Sequence, residues 1–354
     1  MFHAIVRRRM WLPVFFFALV TCGCSSQSNH PSVAGEISLK GQGATFPHPL
    51  YEKWFGDFGK SHNNVRVFYQ GNGSGAGIKA FHAETVDFAG SDAAMSDEEI
   101  KAVPANRGVV LVPLTAGSVV IAYNLPGVTN LKLSREALGG IFLGSIQKWN
   151  DPRIAAVNPG VKLPDMAVNV ISRADSSGTT FVFTNHLAAS NPAWKAAKGA
   201  TGKKKVDFPG VSVSGNDGIA AHIKANSGCV GYLEYGFAHS QGIAMAVLEN
   251  KSGAYVAPTP ESGKASLQTA QLPSDLRAWV PDPEGKDCYP IVSMTWLLCY
   301  KQYPKPEMAQ ALRDVLDYCL TKGQSDADSL GYIPLPANIV EKAKDAVKTV
   351  GAGS

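Results

Sequence analysis

The chain has 354 residues, of which 45% are hydrophobic and 18% charged, with 35 glycines and 22 prolines. That is chain enough for about two domains at ~150 residues each and a sizeable core, which excludes disorder, and six cysteines are too sparse for a small disulfide scaffold. Net charge is +4; without Arg7, Arg8 and Arg9 the balance is 30 basic against 29 acidic residues, so the body lacks the cationic surplus of a bulk nucleic-acid binder.

Arg7 to Arg9 followed by the apolar run Met10 to Val20 reads as a secretory signal over residues 1–23, since the run is too short for a hydrocarbon core of about 30 Å. It leads into Thr21-Cys22-Gly23-Cys24, a small residue before a cysteine, which resembles a bacterial lipoprotein signal. Cys24 is the favoured lipidation site because Gly23 precedes it, although Leu19 stands at the spacing expected for Cys22; an ordinary cleaved signal is the alternative. A polar linker (24–35) follows. Ile37 to Leu39 and Val65 to Tyr69 then read as strands, Tyr51, Trp54, Phe55 and Phe58 recur at helical spacing, and Ile78 to Glu84 is helical. Val86 to Ala89 is a short strand, and Ser96 with Asp97, Glu98 and Glu99 opens a helix. Val109 to Pro113 and Ser118 to Asn124 suit two buried strands. Long loops are expected around Lys195–Lys205 and Ala254–Asp275, and the end returns to a strand, Ile291 to Tyr300, and a helix, Glu307 to Leu320. The alternation argues an α/β architecture. Of the cysteines in the body, Cys229, Cys288, Cys299 and Cys319, no pairing can be chosen, and Cys319 also fits a core face with Leu312, Val315 and Leu316. The eight histidines show no metal spacing, and no cofactor is expected.

Three segments share one local design, a strand, a glycine-flanked hydroxyl turn and a helix: Gly41 to Pro47 with Thr45, Gly71 to Gly77 with Ser74, and Arg173 to Thr180 with Ser177. In each the hydroxyl stands where an N-cap would. Helix N-termini offer unpaired amides and a positive dipole end, and glycine lets a ligand approach the backbone, so oxyanions are the natural guests. One such turn is ordinary capping; three together, one carrying Arg173, point to a site. Gly71-x-Gly73-x-x-Ala76, with Asp92 about twenty residues on, also matches a dinucleotide fingerprint. Export and the lack of a catalytic His or Lys constellation argue against an oxidoreductase. Trp54, Trp149, Trp279 and Trp296 read as packing residues, His48 as a turn residue, and Lys203 to Lys205 as a solvated loop.

The stretches GATFPHPLYEKW, YQGNGSGAGIK, TVDFAGSDAAMSDEE, LGSIQKWNDPRI, VNPGVKLP, SRADSSGTTFVFT, GNDGIAA and GYLEYGFA resemble, in order, the periplasmic phosphate-binding proteins of high-affinity phosphate ABC transporters, type II periplasmic binding proteins. The resemblance runs from about Gly41 to Pro336. It implies an α/β fold of two lobes, each a mixed sheet flanked by helices, with the ligand cleft between them. Lobe I would be 36–114 plus 289–350, and lobe II 115–288. It implies a monomeric binding protein, not an enzyme, that delivers inorganic phosphate to the permease and ATPase subunits of a transporter. Residue by residue, it implies that Thr45, Phe46, Ser74, Ser177, Gly178 and Thr179 donate to phosphate through hydroxyls and amides. Arg173 would be the cationic ligand, steadied by Asp175, and Asp92 the acceptor of a P–OH proton. Ser176 departs from the glycine many relatives carry there and is expected to alter loop stiffness. A carboxylate in a dry cleft accepts from phosphate, which keeps a proton near neutrality, and repels fully ionised sulfate. Alternatives are a binding protein for another tetrahedral oxyanion (sulfate, molybdate, arsenate) and an exported phosphatase-like enzyme with Ser74 or Ser177 as nucleophile.

Overall fold

Alternating and apolar runs form twelve strands in the computed structural model, which describes Met1 and residues 35–351. The expected signal, nearly all of the linker, and both Cys22 and Cys24 lie outside the described residues. The strands are β1 (Ile37–Gly43), β2 (Val65–Gly71), β3 (Phe88–Ser91), β4 (Val109–Tyr123), β5 (Lys132–Leu133), β6 (Asn169–Arg173), β7 (Val211–Val213), β8 (Cys229–Glu234), β9 (Ala244–Met245), β10 (Val247–Glu249), β11 (Tyr255–Val256) and β12 (Val292–Tyr300). Nine of them form one mixed sheet in the order β2-β1-β3-β12-β4-β8-β6-β7, with β9 also on β4, and β11-β10-β5 form a small second sheet.

The two strands expected at 109–113 and 118–124 are one, the 15-residue β4. Pro113 and the small residues Thr115, Ala116 and Gly117 read as a break, but the structure absorbs Pro113 at a bulge. Thr295 pairs with Thr115 and Trp296 with Pro113, leaving Leu114 extra on β4. β4 pairs with β12 from Val109 to Ser118 and with β8 from Val119 to Tyr123. A single strand therefore ties the half of the sheet containing β1 to β3 to the half containing β6 to β8. Every residue of β4 after Val109 is buried.

Helices cover both halves. His48–Ser61, Ser74–His82, Pro306–Leu320 and Ala337–Lys348 pack on the first; Gly178–Ser190, Gly215–Ala225 and Tyr235–Ser240 pack on the second. Pro306–Leu320 buries Leu312, Val315, Leu316 and Cys319 on the face its spacing predicts; each fully buried aliphatic side chain contributes about 1.5–3 kcal/mol. The expected helix at 78–84 begins earlier, at Ser74, and ends at His82, because Glu84 turns the chain with φ +54°. The expected loops hold the helices Pro192–Lys198 and Pro260–Leu267, each opened by a proline that cannot continue a strand but fits a first helical turn. All four body cysteines are buried and unbridged. Trp54, Trp149 and Trp296 are in the core, while Trp279 is 42% exposed. His48 is the first residue of its helix and lies 3.6 Å from Glu52.

Close approach of backbones sets where the strand ends lie. Gly43 has φ +145°, and a Cβ there would overlap the Gly90 carbonyl oxygen on β3; a Cβ on Gly77 would lie 2.6 Å from the Gly43 Cα. Gly43→Ala is expected to cost more than about 1 kcal/mol, since both the conformation and the space are denied to a side chain. Urea unfolding measures this, and a parent-like midpoint would show that the β1–β3 approach has slack.

Candidate functional site

Parallel strands β1, β2 and β3 end side by side at Gly43, Gly71 and Ser91, and β6 ends at Arg173. Ligand sites in open α/β sheets lie beyond such carboxyl ends. Here the chain turns into helix N-termini and brings Thr45, Phe46, Ser74, Asp92, Arg173, Asp175, Ser177, Gly178 and Thr179 into one interior. Thr45, Ser74, Asp92, Arg173, Ser177 and Thr179 are each at most 6% exposed.

Arg173 presents two edges. Nε and Nη2 donate to Asp175 Oδ1 and Oδ2 at 2.8 and 2.6 Å, so the carboxylate holds the guanidinium plane. The other edge faces inward: Nη2 donates to Thr45 Oγ1 at 3.1 Å and Nη1 to Thr179 Oγ1 at 3.3 Å. Arg173 is buried and Asp175 partly so, at 1% and 14% side-chain exposure, and this is not a surface ion pair. Gly73 makes room for it, because a Cβ there would lie 2.5 Å from Asp175 Oδ2, and its φ of +102° suits only glycine.

The hydroxyls divide in use. Ser177 is a true N-cap, its Oγ accepting from the Thr180 amide at 3.1 Å. Thr45 and Ser74 are not caps: the N-caps of their helices are Pro47 and Gly73, neither with a side-chain bond. Glycine and proline set those helix starts by backbone conformation, which frees both hydroxyls. Ser74 Oγ accepts from the amides of Gly178 at 3.1 Å and Asp92 at 3.3 Å. Phe46 buries its ring beside Tyr332, and its carbonyl accepts from the Tyr332 hydroxyl at 2.8 Å, leaving its amide as the only group it can offer a ligand. Ser176 accepts from the Gly75 amide at 2.8 Å, and its side chain fills the space a Cβ on Gly75 would need.

Asp92 is the acceptor in this ring of donors. Its Oδ1 accepts from Thr295 Oγ1 at 3.0 Å, and Oδ2 faces Thr179 Oγ1 at 3.5 Å. Burial pushes its carboxyl up to about 7, against the opposing pull of the Thr295 hydrogen bond and the Arg173 charge.

Four features escaped the sequence reading. Thr295, inside an apolar strand, reads as a β-former and instead anchors Asp92. Gly215–Ala225 aims a further helix start at the site, its Gly215 amide donating to Asp175 Oδ1 at 3.2 Å; Ser214-Gly215-Asn216 after β7 repeats the glycine–polar turn that marks the other three. Asn216 Nδ2 donates to Thr45 Oγ1 at 2.9 Å. Lys204, read as solvated, pairs with Glu99, and its carbonyl accepts from the Ser177 amide at 2.7 Å.

A family model described as a PBP superfamily domain matches residues 26–322. The phosphate-binding protein PstS of Pasteurella multocida (strain Pm70) is 38% identical over 317 residues, spanning 88% of this chain and 90% of that protein. The phosphate-binding protein PstS of Methanocaldococcus jannaschii is 35% identical over 364 residues, spanning 96% and 93%. Among solved structures, a high-affinity periplasmic phosphate-binding protein (PfluDING) bound with phosphate is similar with a TM-score of 0.74, at 22% identity, over 87% of this chain and 93% of that one.

A buried carboxyl raised toward 7 makes stability depend on pH in a defined direction. Between about pH 4 and 7 the folded Asp92 keeps a proton that the unfolded chain releases, so stability falls as pH rises through that window. In oxyanion-free buffer the parent is expected to lose up to about 1.4 kcal/mol per pH unit there relative to Asp92→Asn. Parallel pH profiles for the two in denaturant unfolding would contradict this.

Proposed function

The chain belongs to the PBP superfamily, and on that premise we propose that it captures inorganic phosphate outside the cytoplasmic membrane and delivers it to the permease of an ABC transporter. The observation that carries this reading is Asp92, a buried carboxyl facing an interior otherwise furnished with donors. The starts of the helices Ser74–His82 and Gly178–Ser190 and one edge of Arg173 suit the oxygens of an anion, while the first amides of Gly215–Ala225 hold Asp175 and Thr45. Phosphate near neutrality still carries a P–OH, and Asp92 accepts it. Sulfate brings no proton, so once Asp92 is ionised, above about pH 7, two unpaired negative groups would meet in a dry space, at a cost of several kcal/mol.

In this reading Thr45, Ser74, Ser177 and Thr179 donate through hydroxyls, Phe46 through its amide, Gly178 through an amide that turns from Ser74 Oγ to the anion, and Arg173 through its Nη edge, with Asp175 holding the guanidinium. The binding lobes are 36–114 with 289–350, and 115–288, and they close over the anion as hinged jaws do. Bonds between those segments are the kind of contact a closed pair would make: Gly75 amide to the Ser176 carbonyl at 2.8 Å, Gly178 amide to Ser74 at 3.1 Å, and Arg277 to Asp97 at 2.7 Å. Export and a lipid on Cys24 would keep the single chain close to its permease. Ser74 Oγ accepts from two amides and Ser177 Oγ from one, which lowers the electron density a nucleophile needs and disfavours phosphoester hydrolysis.

Calorimetry tests the reading directly. The parent is expected to bind phosphate and ignore sulfate. Asp92→Asn should narrow that gap by admitting sulfate, and unchanged selectivity would remove the proton-reading role. Arg173→Ala should weaken phosphate binding by about 1.5–3 kcal/mol, as for a lost hydrogen bond to a charged group. Turnover of a chromogenic phosphate ester by the parent would favour the enzyme instead.

A further inference from the structure

A hydroxyl has one proton and two lone pairs, so the groups donating to it decide where its proton can point. Thr45 Oγ1 receives Arg173 Nη2 at 3.1 Å, Asn216 Nδ2 at 2.9 Å and the Asn216 amide at 3.3 Å. Its lone pairs are taken, and only the O–H remains to give. Thr179 Oγ1 receives Arg173 Nη1 at 3.3 Å and Asn216 Nδ2 at 3.4 Å, which leaves its O–H to give, and that O–H faces Asp92 Oδ2 at 3.5 Å across the interior. Ser74 Oγ reaches that state through main-chain amides alone.

Asn216 is the only side chain besides Arg173 that donates to both threonines among the described residues. Its carboxamide orientation is not arbitrary. Oδ1 accepts from the Glu234 amide at 3.1 Å, which turns Nδ2, with its two protons, toward the threonines. The residue is fully buried, and as the second residue of the helix Gly215–Ala225 it is held by backbone on a rigid element.

Resting on the phosphate reading above, we infer that Asn216 is a positioning residue of the binding site, which fixes Thr45 and Thr179 as hydrogen-bond donors toward the anion. Asn216 acts through the two hydroxyls and need not touch the ligand. Arg173 gives each oxygen one donor; the Asn216 carboxamide is the second on Thr179, and on Thr45 it stands beside the main-chain amide of the same residue. Without the carboxamide Thr45 keeps that amide and remains a donor, but Thr179 is free to rotate and present a lone pair to a negatively charged oxygen. The interior then loses the uniform donor character that leaves Asp92 as its acceptor.

The test is calorimetric titration of phosphate into the parent, Asn216→Ala, Thr179→Val and the double variant, with thermal unfolding of each as a folding control. A parent that takes up no phosphate overturns the phosphate reading itself. With a binding parent, Asn216→Ala is expected to lose affinity about tenfold or more, and most of that loss should vanish in the Thr179→Val background, where the hydroxyl that depends on the carboxamide is gone. Equal affinity for Asn216→Ala and the parent overturns the inference, and so does the same fold-loss in both backgrounds, which would mark a general structural effect. Should Asn216→Ala not fold, Asn216→Asp keeps the size and the acceptor for Glu234 while replacing the donor with an acceptor. Its expected loss is larger still, and parent-like affinity in that variant would overturn the inference.

Discussion

Asp92 holds a carboxyl group where a full negative charge is poorly solvated, and the groups around it are chosen so that one shared proton resolves the difficulty. Burial, against the opposing pull of Thr295 and Arg173, pushes the carboxyl up to about 7, into the range where phosphate also exchanges a proton. A dianion beside a protonated carboxyl and a monoanion beside a carboxylate carry the same total charge. The site can accept either description of the pair without rearrangement. A guest without a proton offers no such exchange and, once Asp92 is ionised, leaves two bare anions facing each other. In the proposed reading selectivity depends on how dry and how fixed Asp92 is, to which Thr295 on Oδ1 and the close-packed strand ends around it contribute.

The remaining charge is balanced without a surplus cation. Asp175 takes one edge of Arg173 and with it most of its formal charge; an unpaired buried guanidinium would be costly and would hold any anion indiscriminately. What faces the interior is a fork of directed N–H groups and the starts of helices, partial charges with fixed geometry. The glycines serve this end. Gly43 against Gly90, Gly73 against Asp175 and Gly75 against Ser176 bring main chain close enough for amides, rather than long flexible side chains, to line the space.

Much of this was legible because it is written in local patterns. The three hydroxyl turns sit in contiguous stretches of a few residues, and Arg173 and Asp175 are two apart, so periodicity and turn chemistry reveal them. Their caps were less legible: Thr45 and Ser74 occupy N-cap-like positions in sequence, yet Pro47 and Gly73 start those helices, a choice made by backbone angles that residue type only hints at. What stayed hidden depends on distant partners. Thr295 meets Asp92 across 203 residues, and Asn216 meets Thr45 across 171; each reads locally as an ordinary strand or turn residue. The merging of two expected strands into β4 has the same origin, since only the pairing with β12 reveals that Pro113 and Leu114 lie at a bulge.

The charges at the mouth differ in kind from those inside. Lys204 with Glu99 and Arg277 with Asp97 join the two segments proposed as lobes, while Asp275 holds Arg277 from its own segment; these pairs remain partly solvated, with Asp97 67% exposed. Such pairs contribute at most about 1 kcal/mol each and are screened by salt. They cannot tell phosphate from sulfate, because they see neither the proton nor the oxygens of the guest. What they can bias is how readily the two sides meet, and Lys204 is well placed for that, since its carbonyl also accepts from the amide of Ser177 at the start of the Gly178–Ser190 helix. Closure and discrimination therefore fall to different groups: a weak, ionic-strength-dependent rim, and a buried interior whose preference ionic strength barely reaches.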